Sequence, residues 1–188
     1  KNAGPKLLIT ALLTEDVCLY HNIPRISDTN KIIEALVHIG AKASWVGEHS
    51  VEVECKDIKT NVVPEVAMGA RQSLLFIGAM LARLGKVVMP NKLKGDAIGK
   101  RPIDRTLKGL ESLGVAIDTV GDNIIFTNSK GMGGGAYSFD KNTHTGTEAM
   151  ILATVLGTGT VVLNNCAEEP EVDNLVAVLS DMGAKIVR

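Results

Sequence analysis

Residues 72–83 read QSLLFIGAMLAR and residues 146–156 read GTEAMILATVL, and these two stretches decide the fold. Each has the length of about three helical turns, with small or apolar side chains nearly all round such a helix. A helix that lacks a polar face needs burial on all sides. The sequence therefore predicts an α/β protein with helices inside and sheets outside, the reverse of a doubly wound fold.

A second pattern occurs three times, as ALVHIGAK at 35–42, GLESLGVA at 109–116 and VLSDMGAK at 178–185. In each copy an amphipathic helical pattern ends at a glycine, which is typical of a helix C-cap, and a β-like run follows. A small-residue-rich helix, a turn and a strand precede each copy. The spacing predicts three repeats, at approximately 1–60, 61–130 and 131–188.

Strands are predicted where β-branched and apolar residues follow a turn, at 17–22, 86–91 and 160–165. Two further segments, 42–55 and 115–129, have the alternation and the glycine-containing turns that are typical of β-hairpins.

The composition is that of a globular domain without a strong charge of either sign. The 188 residues are 45% hydrophobic and 22% charged, with a net charge of −1, which suits one large domain or two small ones. Such a chain offers no general field for nucleic acid or anionic membranes, and its longest apolar run, 74–81, is too short to span a bilayer. We therefore expect neither nucleic acid nor a membrane as a partner.

The cysteines, Cys18, Cys55 and Cys166, are odd in number, widely spaced and without a CxxC pair. This usage argues against a disulfide framework or a zinc site and favours a reducing, cytoplasmic location. We expect no metal and no cofactor. The chain begins Lys-Asn without Met, so we expect a piece of a longer protein.

The segment GMGGGA at 131–136 matches the pattern G-x-G-x-x-A, but it does not predict a dinucleotide site. That fingerprint needs a helix after it, whereas AYSFDK follows and alternates like a strand.

Two positions leave an anion site open as an alternative to ordinary structural roles. His144 precedes a predicted helix start with Thr145 or Thr147 as the N-cap, where free N–H groups favour an anion, although capping by threonine explains the pattern equally well. Arg71 opens a buried helix and needs either an anionic partner or a route to solvent.

The segment NKLKGDAIGKRPIDRT, residues 91–106, sets one carboxylate, Asp96, among five basic side chains. A solvated surface loop is the plain interpretation. The helix start predicted after Arg101 would supply backbone N–H groups for an anion, and the apolar pair Ala97-Ile98 suits a loop that closes over a ligand. We therefore favour a loop that binds a phosphate-bearing small molecule.

Four segments carry a family likeness: KNAGPKLLITALL (1–13), ARQSLLFIGAMLAR (70–83), GDAIGKRPID (95–104) and NNCAEEPEVDNL (164–175). The third resembles the mobile-loop motif G-C-A-I-G-x-R-P-[VI]-D of UDP-N-acetylglucosamine enolpyruvyl transferases, and the first is similar to their K-N-A-x-x-P opening. The likeness runs in order over all 188 residues. Because the family's chains are roughly twice as long, the resemblance implies that residues 1–188 form one domain of a two-domain enzyme.

The resemblance implies an inside-out α/β barrel of three βαβαββ units and a role in peptidoglycan synthesis. The substrates would be phosphoenolpyruvate and UDP-N-acetylglucosamine, whose 3-hydroxyl receives the enolpyruvyl group, through a tetrahedral intermediate, as phosphate leaves. We expect the isolated piece to be inactive, because the second domain of the same chain would supply further arginines and the base.

The resemblance also implies roles for individual residues. Asp96 would protonate the methylene carbon of the enolpyruvate, while Lys1 and Arg101 would hold its phosphate and carboxylate region. The other residues expected to contact substrate are Asn2 (sugar nucleotide), Arg71 (phosphate), Pro102, Ile103 and Asp104 (uridine side), Arg105 (nucleotide), and Lys141, Thr143, His144 and Thr145 (uridine diphosphate).

Two departures from the family pattern bear on the chemistry. The family usually has Cys where this chain has Asp96, and a carboxylate is a much poorer nucleophile toward an epoxide, so we expect resistance to fosfomycin. Nearby basic side chains lower the pKa of a carboxyl group, whereas a general acid needs a raised pKa. The negative charge of the substrate phosphate and the exclusion of water would raise the pKa of Asp96. The family also commonly has His where Thr106 follows Arg105.

Two alternatives stay open. The first is the shikimate-pathway enolpyruvyl transferase, 3-phosphoshikimate 1-carboxyvinyltransferase, which shares the fold and the donor. The second is a non-catalytic binding domain of the same fold.

Overall fold

The computed structural model describes residues 1–69, 74–90 and 103–188. The helices of this part are α1 (Gly4–Ile9), α2 (Ser27–His38), α3 (Leu75–Leu84), α4 (Asp104–Ser112), α5 (His144–Thr154) and α6 (Pro170–Asp181), with short 3-10 helices at Thr10–Leu13 and Glu65–Gly69. The strands are β1 (Val17–Tyr20), β2 (Lys42–Trp45), β3 (Val51–Glu54), β4 (Lys86–Pro90), β5 (Ala116–Val120), β6 (Asn123–Thr127), β7 (Gly135–Ser138) and β8 (Val161–Asn164).

Helices α3 and α5 pack against each other at the centre of the molecule. Residues 75–81 of α3 are all buried, as are most residues of α5. The two backbones touch, because a Cβ added at Gly78 would lie 2.3 Å from the carbonyl oxygen of Ala149. The predicted burial of these two helices is confirmed.

The strands form three small sheets. β3 pairs antiparallel with β1 and β2, β6 pairs antiparallel with β4 and β5, and β7 pairs in parallel with β8. On β3 the side chains of Val51 and Val53 are buried while Glu52 is exposed, so one face packs on the helices and the other faces outward. The hairpins predicted over 42–55 and 115–129 are confirmed as β2–β3 and β5–β6. Among the described strands no sheet closes on itself, so the barrel and its three units stay predictions.

The three glycines predicted to end helices do so. Gly40, Gly114 and Gly183 follow α2, α4 and α6 with φ of 108°, 90° and 100°, a region that side chains with a Cβ rarely adopt. Among the described residues no helix is both long and apolar enough to cross a membrane.

The predicted start of α5 was wrong. The helix begins at His144, and the N-cap is Thr143 rather than Thr145 or Thr147. Thr143 has an extended backbone and its Oγ1 accepts a hydrogen bond from the Gly146 N–H at 3.4 Å. The Thr147 hydroxyl instead accepts from the Ala167 N–H at 3.0 Å, so it is not free to cap. His144 therefore belongs to the first turn of the helix.

Candidate functional site

The predicted site residues divide into those that the structure describes and those that it does not. Arg71, Asp96, Arg101 and Pro102 lie outside the described residues. The described ones lie at the starts of helices: Lys1 and Asn2 just before α1, Ile103, Asp104 and Arg105 at the start of α4, and Lys141, Thr143, His144 and Thr145 at the start of α5.

The starts of α4 and α5 are adjacent. A Cβ added at Gly146 would lie 3.2 Å from Thr106 Oγ1, and Thr106 is buried. Residues 143–145 are partly exposed, so the first turn of α5 is accessible from outside. The N–H groups of a first helical turn have no partner within the helix, which favours an anion at this point.

Arg105 and Asp140 link α4 to the segment before α5. Arg105 donates from Nε to Asp140 Oδ1 at 2.7 Å and from Nη2 to Oδ2 at 3.5 Å, and Tyr137 donates its hydroxyl proton to the Arg105 carbonyl at 3.1 Å. The hydrogen bond from Arg105 lowers the pKa of the Asp140 carboxyl. The Lys141 N–H also donates to Asp140 Oδ1, at 2.9 Å, which fixes Lys141 beside Arg105.

A buried ionic cluster lies beneath the first turn of α5. Lys6 on α1 donates from Nζ to Glu148 Oε1 at 2.7 Å and contacts His144 Nε2 at 2.9 Å. His144 Nε2 is 3.2 Å from the same carboxylate oxygen. The side chains of Lys6, Glu148 and His144 are 8%, 0% and 28% exposed, so only the histidine reaches the surface.

The surroundings of Glu148 disfavour a charged carboxylate, except on the side that faces Lys6. Burial raises the pKa of its carboxyl, while the hydrogen bond and charge of Lys6 oppose that rise. Its second oxygen, Oε2, is buried and has no hydrogen-bond partner among the described residues. Lys6 is therefore the main compensation for this charge.

Sequence reasoning found His144 but missed Lys6 and Glu148. A clue was present, because Lys6 stands in the otherwise apolar run PKLLITALL and Glu148 lies in a helix that lacks a polar face. A charge at such a position is buried and needs a partner. The sequence alone does not say that the two residues meet.

The start of α6 joins the same region. The backbone N–H of Glu171 and the side chain of Asn2 lower the pKa of the Glu171 carboxyl, with a smaller contribution from the charge of Lys6. The starts of α1, α5 and α6 thus lie in one region, with Asn2 beside Glu171, and the roles of these residues toward substrate stay predictions.

Within the described ranges, no group of three or more His, Cys, Asp or Glu side chains is arranged to hold a metal ion.

Comparisons with known proteins show which family the chain is similar to. The family model described as EPSP synthase (3-phosphoshikimate 1-carboxyvinyltransferase) matches residues 1–188. Proteins named UDP-N-acetylglucosamine 1-carboxyvinyltransferase from Dichelobacter nodosus, Desulfosudis oleivorans and Myxococcus xanthus are 40%, 39% and 37% identical over 99% of this chain. The match covers 44% of each relative, so the chain spans less than half the length of these proteins.

Two solved structures have a similar fold. The enolpyruvyl transferase NikO from Streptomyces tendae superposes with a TM-score of 0.83 over 99% of this chain and 43% of its own. EPSP synthase from Acinetobacter baumannii superposes with a TM-score of 0.68 over 92% of this chain and 40% of its own. Each is 18% identical to this chain, so these two likenesses concern the fold alone.

Proposed function

We propose that this chain, which belongs to the EPSP synthase (3-phosphoshikimate 1-carboxyvinyltransferase) family, is one of two domains of an enzyme that acts on UDP-N-acetylglucosamine. The enzyme transfers the enolpyruvyl group of phosphoenolpyruvate to the 3-hydroxyl of the sugar and releases phosphate, the first committed step of peptidoglycan synthesis. One observation carries the proposal: three relatives that are 37–40% identical over 99% of this chain bear the name of that activity.

The reaction balances as an addition followed by an elimination. The sugar oxygen bonds to the second carbon of phosphoenolpyruvate while the methylene carbon gains a proton from Asp96. The resulting tetrahedral intermediate then loses phosphate, and the new methyl group returns a proton to the Asp96 carboxylate, which restores the double bond. A base in the second domain takes the proton of the sugar hydroxyl.

The charges of the chain support this assignment. Lys1, Arg71 and Arg101 are cations that suit the phosphate and carboxylate of phosphoenolpyruvate. The sugar nucleotide carries a diphosphate, for which the partly exposed first turn of α5 offers backbone N–H groups and His144. Asn2, beside Glu171, would contact the sugar.

The start of α4 would serve the uridine. Pro102, Ile103 and Asp104 precede or open that helix, and Arg105 is held by Asp140 beside Lys141. We also propose that the three repeats form an inside-out barrel, with the buried pair α3 and α5 among its inner helices, and that the protein acts in the cytoplasm.

The main alternative acceptor is shikimate 3-phosphate, because the description of the matching family names that activity. Against it stands the name of the relatives that are 37–40% identical over 99% of this chain, which specifies UDP-N-acetylglucosamine.

The deciding experiment supplies phosphoenolpyruvate to the two-domain protein together with either acceptor. We expect phosphate release and a carboxyvinyl product with UDP-N-acetylglucosamine and none with shikimate 3-phosphate, measured by mass spectrometry. Product from shikimate 3-phosphate alone would replace the proposal by the alternative. Absence of product from both, with binding of UDP-N-acetylglucosamine retained in a titration, would favour a non-catalytic domain.

A further inference from the structure

The contact between Lys6 and His144 favours one tautomer of a neutral imidazole. Lys6 Nζ lies 2.9 Å from His144 Nε2 and 2.7 Å from Glu148 Oε1. An ammonium group has three donors and no acceptor, so a hydrogen bond to Nε2 requires that nitrogen to accept. The proton of a neutral His144 is then on Nδ1.

The other tautomer, with the proton on Nε2, is disfavoured by the same distances. If Nε2 carried a proton and donated it to Glu148 Oε1 at 3.2 Å, it would place an N–H against the Lys6 ammonium at 2.9 Å. Two donors would then face each other in a buried site, where an unmade hydrogen bond is costly. With Lys6 as donor, Nε2 and Oε1 each accept a hydrogen bond from the same ammonium group, which lies between these two acceptors.

We infer that Lys6 and Glu148 are positioning residues that hold His144 as a neutral Nδ1–H donor for the diphosphate of the sugar nucleotide. This inference rests on the function proposed above. Lys6 donates to Nε2, Glu148 keeps the ammonium in place, and the partly exposed imidazole belongs to the first turn of α5, so its Nδ1–H is the donor left for the ligand.

The arrangement suits an anionic ligand because it combines an uncharged donor with the N–H groups of a helix start. The cluster itself is neutral, since the charge of Lys6 is balanced by that of Glu148 within 2.7 Å. A neutral donor can bind a diphosphate oxygen without an extra buried charge, and the hydrogen bond is strengthened by the charge of the acceptor. A cluster that only stabilised the fold would not require a histidine at the position that reaches the surface.

The test compares two double variants of the two-domain protein that carry the same charge. Lys6→Met/Glu148→Met removes the ion pair and leaves Nε2 without a donor. Lys6→Met/Glu148→Gln also removes both charges, but its amide N–H, one helical turn from His144, can donate to Nε2 again. Neither leaves an unpaired buried charge, so both are expected to fold.

We expect the KM for UDP-N-acetylglucosamine to rise about tenfold in Lys6→Met/Glu148→Met. In this variant His144 is no longer held in the orientation that donates a hydrogen bond to the charged diphosphate. In Lys6→Met/Glu148→Gln it should stay near that of the unchanged protein. The KM for phosphoenolpyruvate and kcat should change little in both. The exposed pair Lys42–Glu54, also 2.7 Å apart, is the matched control, and Lys42→Met should alter none of these constants.

The tautomer is measured directly, without substrate, by NMR of protein labelled with ¹⁵N-histidine, with the His144 signals assigned by their loss in His144→Asn. The inference expects an unprotonated Nε2 and a protonated Nδ1 in the unchanged protein. A protonated Nε2 there, or equal KM values in the two double variants, would overturn it. If the unchanged protein turned over no UDP-N-acetylglucosamine, the proposed function would fail instead, whatever the tautomer.

Discussion

The cysteines of the chain offer no activated thiol to an electrophile. All three are free, and burial raises the pKa of each thiol, to about 12 for Cys55. A raised pKa keeps the sulfur protonated and therefore weakly nucleophilic at neutral pH. None of the three lies in the segment 95–104 that resembles a catalytic loop, where Asp96 stands instead. An epoxide that depends on a loop thiolate has no target here.

Fosfomycin should therefore leave the two-domain protein active after long incubation, and Asp96→Cys should make inactivation time-dependent, with a mass increase on the new cysteine. The measurement is residual carboxyvinyl transfer against time, followed by peptide mass spectrometry. Cys166→Ala serves as a control that should change neither result. Time-dependent loss of activity with an adduct on Asp96 would refute the expectation.

Individual residues also show how much of the site can be predicted from the sequence. Motif likeness predicted roles for His144, Asn2 and Arg105, because each stands in a recognisable segment. It did not identify the pair Lys6–Glu148, whose members are 142 positions apart and meet only when α1 packs near α5. Long-range contacts of this kind depend on packing, which local patterns do not contain.

At the scale of elements, the pair α3 and α5 carries the core. Gly78 of α3 faces the backbone of α5 at Ala149, so the two helices can approach this closely only because residue 78 has no side chain. Both helices were predictable because their apolar residues continue all round. The start of α5 was not, because Thr143, Thr145 and Thr147 are equally good capping residues by type, and only the fold assigns Thr147 to Ala167.

Gly78→Ala should destabilise the protein by about 1–3 kcal/mol, because its Cβ would overlap a backbone oxygen and force the helices apart. The matched control is Gly133→Ala, since a Cβ there would meet nothing within 4 Å and Gly133 lacks a positive φ. Urea unfolding of both variants measures the difference. Equal midpoints for Gly78→Ala and the unchanged protein would contradict the close approach of α3 and α5.

At the scale of the whole molecule, four helices have their first turns in one region. The starts of α1, α4, α5 and α6 bring most of the described candidate residues to that region, although these residues are scattered along the sequence. The order of helices and strands was predicted from periodicity and glycine positions. The pairing of β3 with both β1 and β2, and of β6 with both β4 and β5, was predicted only for the hairpins, since the other pairings join segments that are distant in the sequence.

The most direct test of this account is turnover by the two-domain protein with phosphoenolpyruvate and UDP-N-acetylglucosamine, compared between the unchanged chain and Asp96→Asn. Asparagine keeps the size of the side chain but cannot give a proton to the methylene carbon. The account predicts carboxyvinyl product from the unchanged protein and a rate at least about 100-fold lower for Asp96→Asn, with nucleotide binding retained. Equal rates for the two proteins would contradict it.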